Sequence, residues 1–402
     1  INDLALNVTS QAKRELDEVV EVAFVGNPIM HHLLLGINPI ELGGAPFALA
    51  TDESVRVRAR DLNLKLHTNT RCYVLPCIAG HVGADTAGMI LSEAPHHREA
   101  MTLLVDIGTN AEIVLGNNQR LLAASSPTGP AFEGAQISSG QRAAPGAIER
   151  VRIDRKTLEP RFQVIGSELW SNDPGFSKDT KGIGVTGICG SGIIEVIAEM
   201  YLAGILSQDG VINGNLAAKS KHVIADGRTF SYVLSNGQHI IHVTQNDVRA
   251  VQLAKAALYA GIRLLMERME IETVDRIRLA GAFGSHIDVK YATVLGLIPD
   301  CDLKQVSSAG NSAGTGARIA LLNYESRQEI EEVVRQVEKV ETAVEAKFQE
   351  HFVQAMAFPH KVDSFPNLAK VIELPAEIDM QNHASSIQQR KIRRRRTSNK
   401  AL

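Results

Sequence analysis

The chain has 402 residues, 42 basic against 45 acidic side chains for a formal net charge of −3, and 44% hydrophobic residues. These are ordinary globular values, and the length predicts two or three domains with sizeable cores. No apolar run approaches the roughly 18 residues that a membrane span needs, nothing at the start reads as a secretory signal, and four cysteines make no disulfide framework, so a cytoplasmic enzyme core is expected.

Ile1 to Leu4 reads as the middle of a helix that began earlier. Residues 21–25 read as a strand. Asn27 before Pro28 is a cap with proline at the first helical position, opening a helix to Leu35 that Gly36 stops. His31 and His32 sit on that helix; neighbours on a helix cannot both face one metal, so capping or core roles are favoured. Residues 71–75 read as a strand. Cys72 and Cys77, the one near pair, favour buried reduced thiols over metal binding. Residues 83–92 are small and predict a closely packed helix.

Residues 102–124 read as strands, with Asn117-Asn118 as a hairpin turn. Leu103, Leu104 and Val105 are apolar, Asp106 stands at the strand end, and a second strand runs from Ala111 to Leu115. Gly108 lets the backbone approach a ligand. Thr109 and Asn110 can aim N–H groups, a hydroxyl and an amide at anionic oxygens, which makes the turn a nest for phosphate. Asp106 can hold Mg²⁺ through water. Alone, the same pattern also suits an ordinary hairpin turn.

Residues 150–165 read as extended, turning at 156–160, and 167–181 read as a loop. Gly187, Gly190, Ser191 and Gly192 lead straight into a helix with apolar residues at 193, 194, 197, 200 and 201, an arrangement suited to an anion. Thr244 and Asp247 have capping spacing. They open a helix through Met269 with Val248, Val251, Leu258, Ile262, Leu265 and Met266 as core. Arg249, Lys255 and Arg263 share that helix, where a solvated face is favoured. Residues 276–284 read as a strand ending in Gly281, Ala282, Phe283 and Gly284, a loop that suits a flat purine. Residues 308–317 are small and enter a helix capped by Asn311 and containing Gly314. Residues 326–341 read as a charged amphipathic helix, followed by 348–358.

Low complexity begins near residue 382. Seven basic residues from Arg390 to Lys400 leave the rest of the chain at −10. The tail is short, lacks aromatics and follows an acidic body, so a solvated end is favoured over nucleic-acid binding, with guidance of an acidic partner as the alternative.

The order of phosphate hairpin, glycine loop before a helix, strand-end Gly-x-x-Gly and small-residue helix resembles the second half of the actin-like ATPase fold. That fold is shared by actin, sugar kinases and heat-shock ATPases. Residues 106–110 match its second phosphate loop, 279–284 its adenosine loop and 310–317 its second connecting helix. The strings at 25–36, 129–135, 142–149 and 187–194 resemble the reductive activators of corrinoid proteins, and the similarity runs from about 20 to about 320.

The resemblance implies an α/β actin-like ATPase fold with the first half incomplete. Expected boundaries are 1–98 for the remainder of the first half, 99–375 for the second half, and 376–402 for the basic tail. It implies ATP and Mg²⁺ as ligands, with Gly281 to Gly284 holding adenosine. Glu112 and Glu133 are candidate water-orienting carboxylates, and Glu133 suits loop stabilisation equally. A base on the 244–269 helix could touch nucleotide. The implied partner is a corrinoid protein of a methyl-transfer system, returned from Co(II) to Co(I), with a homodimer and neither membrane nor nucleic acid. The family also carries an N-terminal ferredoxin-like domain with a [2Fe–2S] cluster and a first phosphate loop. Neither is recognised here, so the chain reads as a fragment. A metabolite kinase of this fold and a non-catalytic nucleotide-dependent binding module are the other readings.

Overall fold

The structure, a computed structural model, describes residues 1–375 except Gln238 and Ser285 and the side chains of Ala282 and Phe283; the basic tail lies outside the described residues. The chain begins with α1 (Asn2–Gln11), β1 (Glu21–Phe24), α2 (Pro28–Leu34), β2 (Val55–Arg58), β3 (Arg71–Val74) and α3 (Ala84–Glu93). Then come β4 (Thr102–Ile107), β5 (Ala111–Gly116), β6 (Leu121–Ser126), β7 (Ala147–Ile153), β8 (Pro160–Val164), α4 (Phe176–Asp179), β9 (Gly187–Ile188) and α5 (Gly190–Leu202). A meander of β10 (Val223–Asp226), β11 (Thr229–Asn236) and β12 (Ile240–Thr244) leads into α6 (Gln245–Arg268). The last elements are β13 (Arg276–Ala280), α7 (Gly281–Gly284), α8 (Val289–Leu295), β14 (Val306–Gly310), α9 (Ser312–Leu322), α10 (Tyr324–Gln336), β15 (Glu338–Lys339), α11 (Phe348–Gln354) and α12 (Pro366–Ala369).

The central sheet has the order β14-β13-β4-β5-β6-β15. Strands β14, β13 and β4 run parallel, and β4, β5 and β6 form an antiparallel meander. Side chains alternate across a strand, and here the alternation divides two cores. Leu103, Val105 and Ile107 pack with Ile113, Leu115, Ile194 of α5 and Val248 of α6. Leu104 and Val114 face the other way, against Met89 and Ile90 of α3 and Ala320 of α9. Asp106 shares the parity of Leu104, so it stands on the face that α3 and α9 cover. A smaller sheet, β1-β3-β2, lies beyond α3.

Local signals in the sequence account for several element starts. Asn27 accepts a hydrogen bond from Met30 N at 2.8 Å, and Thr244 and Asp247 form the reciprocal cap of α6. His31 and His32 are both buried. Ala50 N donates to His32 Nε2 at 3.0 Å, so the proton sits on His32 Nδ1 and is donated to His31 Nδ1 at 3.3 Å. Burial and then the neighbouring His32 hold His31 down to about 4.

Three expectations are corrected. Residues 176–179 within the expected loop form a helical turn, α4. The charged helix at the C-terminal side ends at Gln336; Glu338 and Lys339 instead pair with Leu122 and Ala123, because the open edge of β6 offers backbone partners. Lys255 is not on a solvated face. It is fully buried, donates to the carbonyls of Ala357 and Pro359 at 2.6 Å each, and burial lowers its pKa well below the usual lysine range.

Helices α3 and α9 approach backbone to backbone. A Cβ on Gly316 would lie 1.9 Å from Gly88 O, and one on Gly88 would lie 2.8 Å from Ala313 O. Backbone cannot yield as a flexible side chain does, so Gly316→Ala is expected to destabilise the fold by about 1–3 kcal/mol. Urea titration monitored by circular dichroism should show a lowered midpoint with an unchanged slope. An unshifted midpoint would mean that the two helices separate at no cost.

Candidate functional site

The parallel strands β13, β14 and β4 end together, and in open α/β sheets the carboxyl ends of strands form the ligand crevice. Asp106 is the penultimate residue of β4, Ala280 ends β13 beside it, and Gly310 ends β14. Across the hairpin, Asp106 lies opposite Glu112 of β5, which in turn lies opposite Ser125. Two carboxylates on one sheet face oppose each other's ionisation.

A third carboxylate joins them from α3. Asp85 sits in the first turn of that helix, where its Oδ1 accepts from Thr86 N at 2.8 Å. Burial first, and then the charge of Asp85, pushes Asp106 up to about 6. Burial, then Asp85, then Asp106 push Glu112 up to about 9. Burial raises Asp85 itself. Sequence reasoning missed Asp85, because an acidic residue in a first helical turn is an ordinary partner for the helix dipole. Its only signal was its place in the small-residue string at 83–92.

The turn between β4 and β5 is held from below. Gly108 N donates to Asn110 O at 3.2 Å, and Gly129 N donates to Thr109 O at 2.8 Å. Thr128 Oγ1 donates to Gly108 O at 2.7 Å. Thr109 Oγ1 donates to Glu133 Oε1 at 2.7 Å, which brings Glu133 to the turn. Thr109, Asn110 and Glu133 are exposed.

Gly281 opens α7 at φ +84°, and a Cβ there would lie 2.3 Å from Asp106 Oδ1. Glycine is therefore required by both conformation and space, and Gly284 follows at the end of the same turn. The side chains of Ala282 and Phe283, expected at the adenosine, lie outside the described residues. Gly310, at φ +60°, has nothing within 4 Å of its Cβ position. Asn311 caps α9, accepting from Gly314 N at 2.9 Å. Thr86 Oγ1 in α3 and Ser312 Oγ in α9 are buried polar atoms with no partner among the described residues.

The glycine string at 187–192 sits in packing. A Cβ on Gly192 would lie 2.2 Å from Ile148 O, and one on Gly187 would lie 2.6 Å from Gln141 Oε1. Gly190 and Ser191 open α5, which rides on β7 with Ser191 buried and its Oγ 3.4 Å from Cys189 Sγ. This string packs against β7 and the 139–141 loop.

The donor chemistry at Asp106 suits a hard divalent cation held through water. Asp85, Asp106 and Glu112 offer oxygens whose charges oppose one another, although among the described residues these oxygens are not gathered at direct-ligand spacing. The cysteines do not fit an iron–sulfur cluster. Cys72, Cys77, Cys189 and Cys301 are all buried. Burial pushes the Cys77 thiol to about 12 and the Cys301 thiol to about 11, whereas a cluster needs gathered thiolates.

Residues 1–98 match the family described as RACo middle region, and residues 100–369 match the C-terminal domain of RACo, the ASKHA domain. A corrinoid activation enzyme, RamQ, of Eubacterium limosum is 34% identical over 373 residues, covering 90% of this chain and 60% of the relative. A Co(II) methylated amine-specific corrinoid protein reductase of Methanosarcina barkeri is 28% identical over 342 residues, covering 80% of this chain and 59% of the relative. Among solved structures, a reductive activator for corrinoid,iron-sulfur protein aligns with a TM-score of 0.77 at 32% identity, over 90% of this chain and 56% of that one. The chain thus spans about 60% of the length of the curated relatives it matches. With both of its parts matched and an actin-like ATPase domain as the larger, the chain belongs to the RACo family of corrinoid reductive activators.

Proposed function

We propose that this chain is the nucleotide-binding and partner-contacting part of an ATP-dependent activator that returns a Co(II) corrinoid, carried by a protein of a methyl-transfer system, to Co(I). The observation that carries the reading is the cluster of Asp85, Asp106 and Glu112 beside the Gly108-Thr109-Asn110 turn, at the carboxyl ends of three parallel strands. The relatives' names supply the corrinoid.

Asp106 would hold Mg²⁺ through water, with Asp85 and Glu112 behind it. When bound, the ion would neutralise phosphate charge. Gly108, Thr109 and Asn110 would donate to phosphate oxygens. Gly281 and Gly284 leave room for adenosine, with Asn311 and Gly314 at the start of α9 closing that side. Asp106 at about 6 is the anion of the pair at neutral pH; Glu112 at about 9 is neutral there and can donate a hydrogen bond. Water orientation falls to Asp85 or to Glu133, which Thr109 fixes at the turn.

ATP is hydrolysed to ADP and phosphate, and one electron passes from a low-potential one-electron donor outside this chain to Co(II), giving Co(I). For one electron a gap of about 200 mV is roughly 5 kcal/mol, which nucleotide can offset only by favouring a state that binds the Co(II) protein. Helices α3 and α9 both begin at the site and cross at Gly88 and Gly316. A ligand that draws on both helix starts therefore bears directly on how the two sheets sit together. A homodimer and a cytoplasmic location complete the proposal; among the described residues no helix is long and apolar enough to cross a membrane.

The decisive measurement is the visible spectrum of the corrinoid protein during reduction by a weak donor, using a protein of the relatives' full length. ATP should raise the yield of Co(I). Equal yields with and without ATP would bring a metabolite kinase of this fold forward instead. In the same protein, Asp106→Ala should weaken Mg²⁺-dependent ATP binding by roughly 10–100-fold, the value of one charge-assisted interaction. Calorimetry showing wild-type affinity would remove Asp106 from the site.

Glu112 also gives a pH signature. Its folded pKa lies above its unfolded value, so the folded state takes up a proton between about 4.5 and about 9. The cost to stability is absent below that window, grows as pH rises through it and is complete above it. Glu112→Gln should therefore gain on wild type in denaturant unfolding as pH is raised from 5 to 9, and Mg²⁺ should narrow the gap. A difference that stays constant with pH would show that Glu112 ionises normally.

A further inference from the structure

Two imidazoles and a carboxylate meet at the seam between the two sheets. The short turn Pro95–His97 leads from α3 toward β4. His96 Nε2 lies 2.7 Å and His97 Nε2 2.9 Å from one oxygen, Glu329 Oε1, on α10. The ring centroids are 4.2 Å apart and the planes are inclined by 57°. The ligand atoms of all three residues lie within 4.8 Å of one another. Adjacent residues on an α-helix would diverge. Here Ala94 takes a left-handed conformation, φ 47°, before Pro95, and the tight turn that follows sends both rings to the same side chain.

We propose that His96, His97 and Glu329 form a binding site for a divalent transition metal of the zinc class, with water in the fourth position. Imidazole nitrogen and carboxylate oxygen in a two-to-one ratio suit Zn²⁺, Co²⁺ or Ni²⁺, whereas the all-oxygen set at Asp106 suits Mg²⁺. An ion about 2.0–2.2 Å from each ligand sets the ligand atoms about 3.3 Å apart, so the two nitrogen–oxygen distances must open by roughly 0.5 Å. The side chains can give that much: His97 is 62% and Glu329 30% exposed, while His96, at 12%, is the anchored member. The same exposure provides the ion's way in.

The hydrogen-bonded form uses this geometry poorly. One carboxylate oxygen must serve two Nε2–H donors, which requires the Nε2-protonated tautomer on both rings. His96 Nδ1 is buried and has no partner among the described residues, so the ring is held from its Nε2 side alone, by Glu329. The same absence lowers the affinity. A metal-bound His96 must carry its proton on Nδ1 without the usual acceptor, and loss of such a partner weakens metal binding by about 10–100-fold. Micromolar rather than nanomolar affinity is therefore expected. Bound there, the ion would tie the connection that enters β4, the strand of Asp106, to α10.

The test is a Co²⁺ titration of chelator-treated full chain followed by visible absorption, then competition with Zn²⁺. One equivalent should bind with a tetrahedral-type spectrum and be displaced by Zn²⁺, and Zn²⁺ should raise the melting temperature in a concentration-dependent way. His96→Gln and Glu329→Gln should each weaken that equivalent at least tenfold and abolish the thermal shift, while His67→Gln, an exposed histidine elsewhere, should do neither. Glu329→Gln keeps size and hydrogen bonding, so it remains informative if His96→Gln folds poorly. Wild-type-like binding in Glu329→Gln, or no saturable equivalent in the wild type, would overturn the site.

Discussion

The architecture around Asp106 rests on one contact without side chains. Gly88 of α3 and Gly316 of α9 leave their backbones touching, where a single methyl group would stand 1.9 Å from a carbonyl oxygen. That approach lays α3 flat on the face of the central sheet that bears Leu104, Val114 and Asp106. It also sets the first turn of α3 at the strand ends, so that Asp85 reaches Asp106 and Glu112. With a larger residue at either glycine the helices would ride higher, and the three carboxylates would be held at a different spacing. The electrostatics of the site thus follow from a packing constraint about one turn away.

That electrostatic arrangement works against folding. Three acidic groups share a poorly solvated corner, and two of them are displaced to about 6 and about 9. Groups so shifted by burial and by each other mark a functional site more often than a structural one, because stability alone would remove them. The contrast lies in the same protein. Buried Glu195 is compensated by Arg150 and Arg152, and buried Glu199 by Tyr291 and a backbone N–H. Where the fold needs a buried acid it supplies partners. At Asp106 the shift comes from burial and a second acid, and a bound cation would relieve both.

Much of this was legible in the sequence because it is local. The hairpin at 102–116, the caps at Asn27 and Thr244, and the alternation that assigns Asp106 to one face are all set by residues within a few positions of one another. The family strings likewise pointed to the right fold. What escaped depends on distant partners. Asp85 reads as a routine first-turn acid until α3 is placed against β4. Lys255 reads as a solvated base until the segment at 357–359 folds over it with two carbonyls. Glu338 and Lys339 carry helical composition but meet the free edge of β6.

The glycines show how such a sequence has to be read. Glycine-rich strings look alike on paper, yet the space around each absent Cβ separates them. At Gly192, Gly187 and Gly316 that space is already filled by backbone or a neighbouring side chain, so the residue is demanded by packing whether or not any ligand binds. At Gly310 and Gly129 the φ angle is positive and nothing lies within 4 Å, so conformation alone demands glycine and the space beyond is open. Gly281 meets both conditions, and the atom it would strike is the carboxylate of Asp106. A side chain there would cover the one group on β4 that needs a counter-charge. Gly116, Gly146 and Gly296 also combine a positive φ with a filled Cβ position, but the nearest atoms they would strike are backbone carbonyls, so it is the neighbouring carboxylate that sets Gly281 apart.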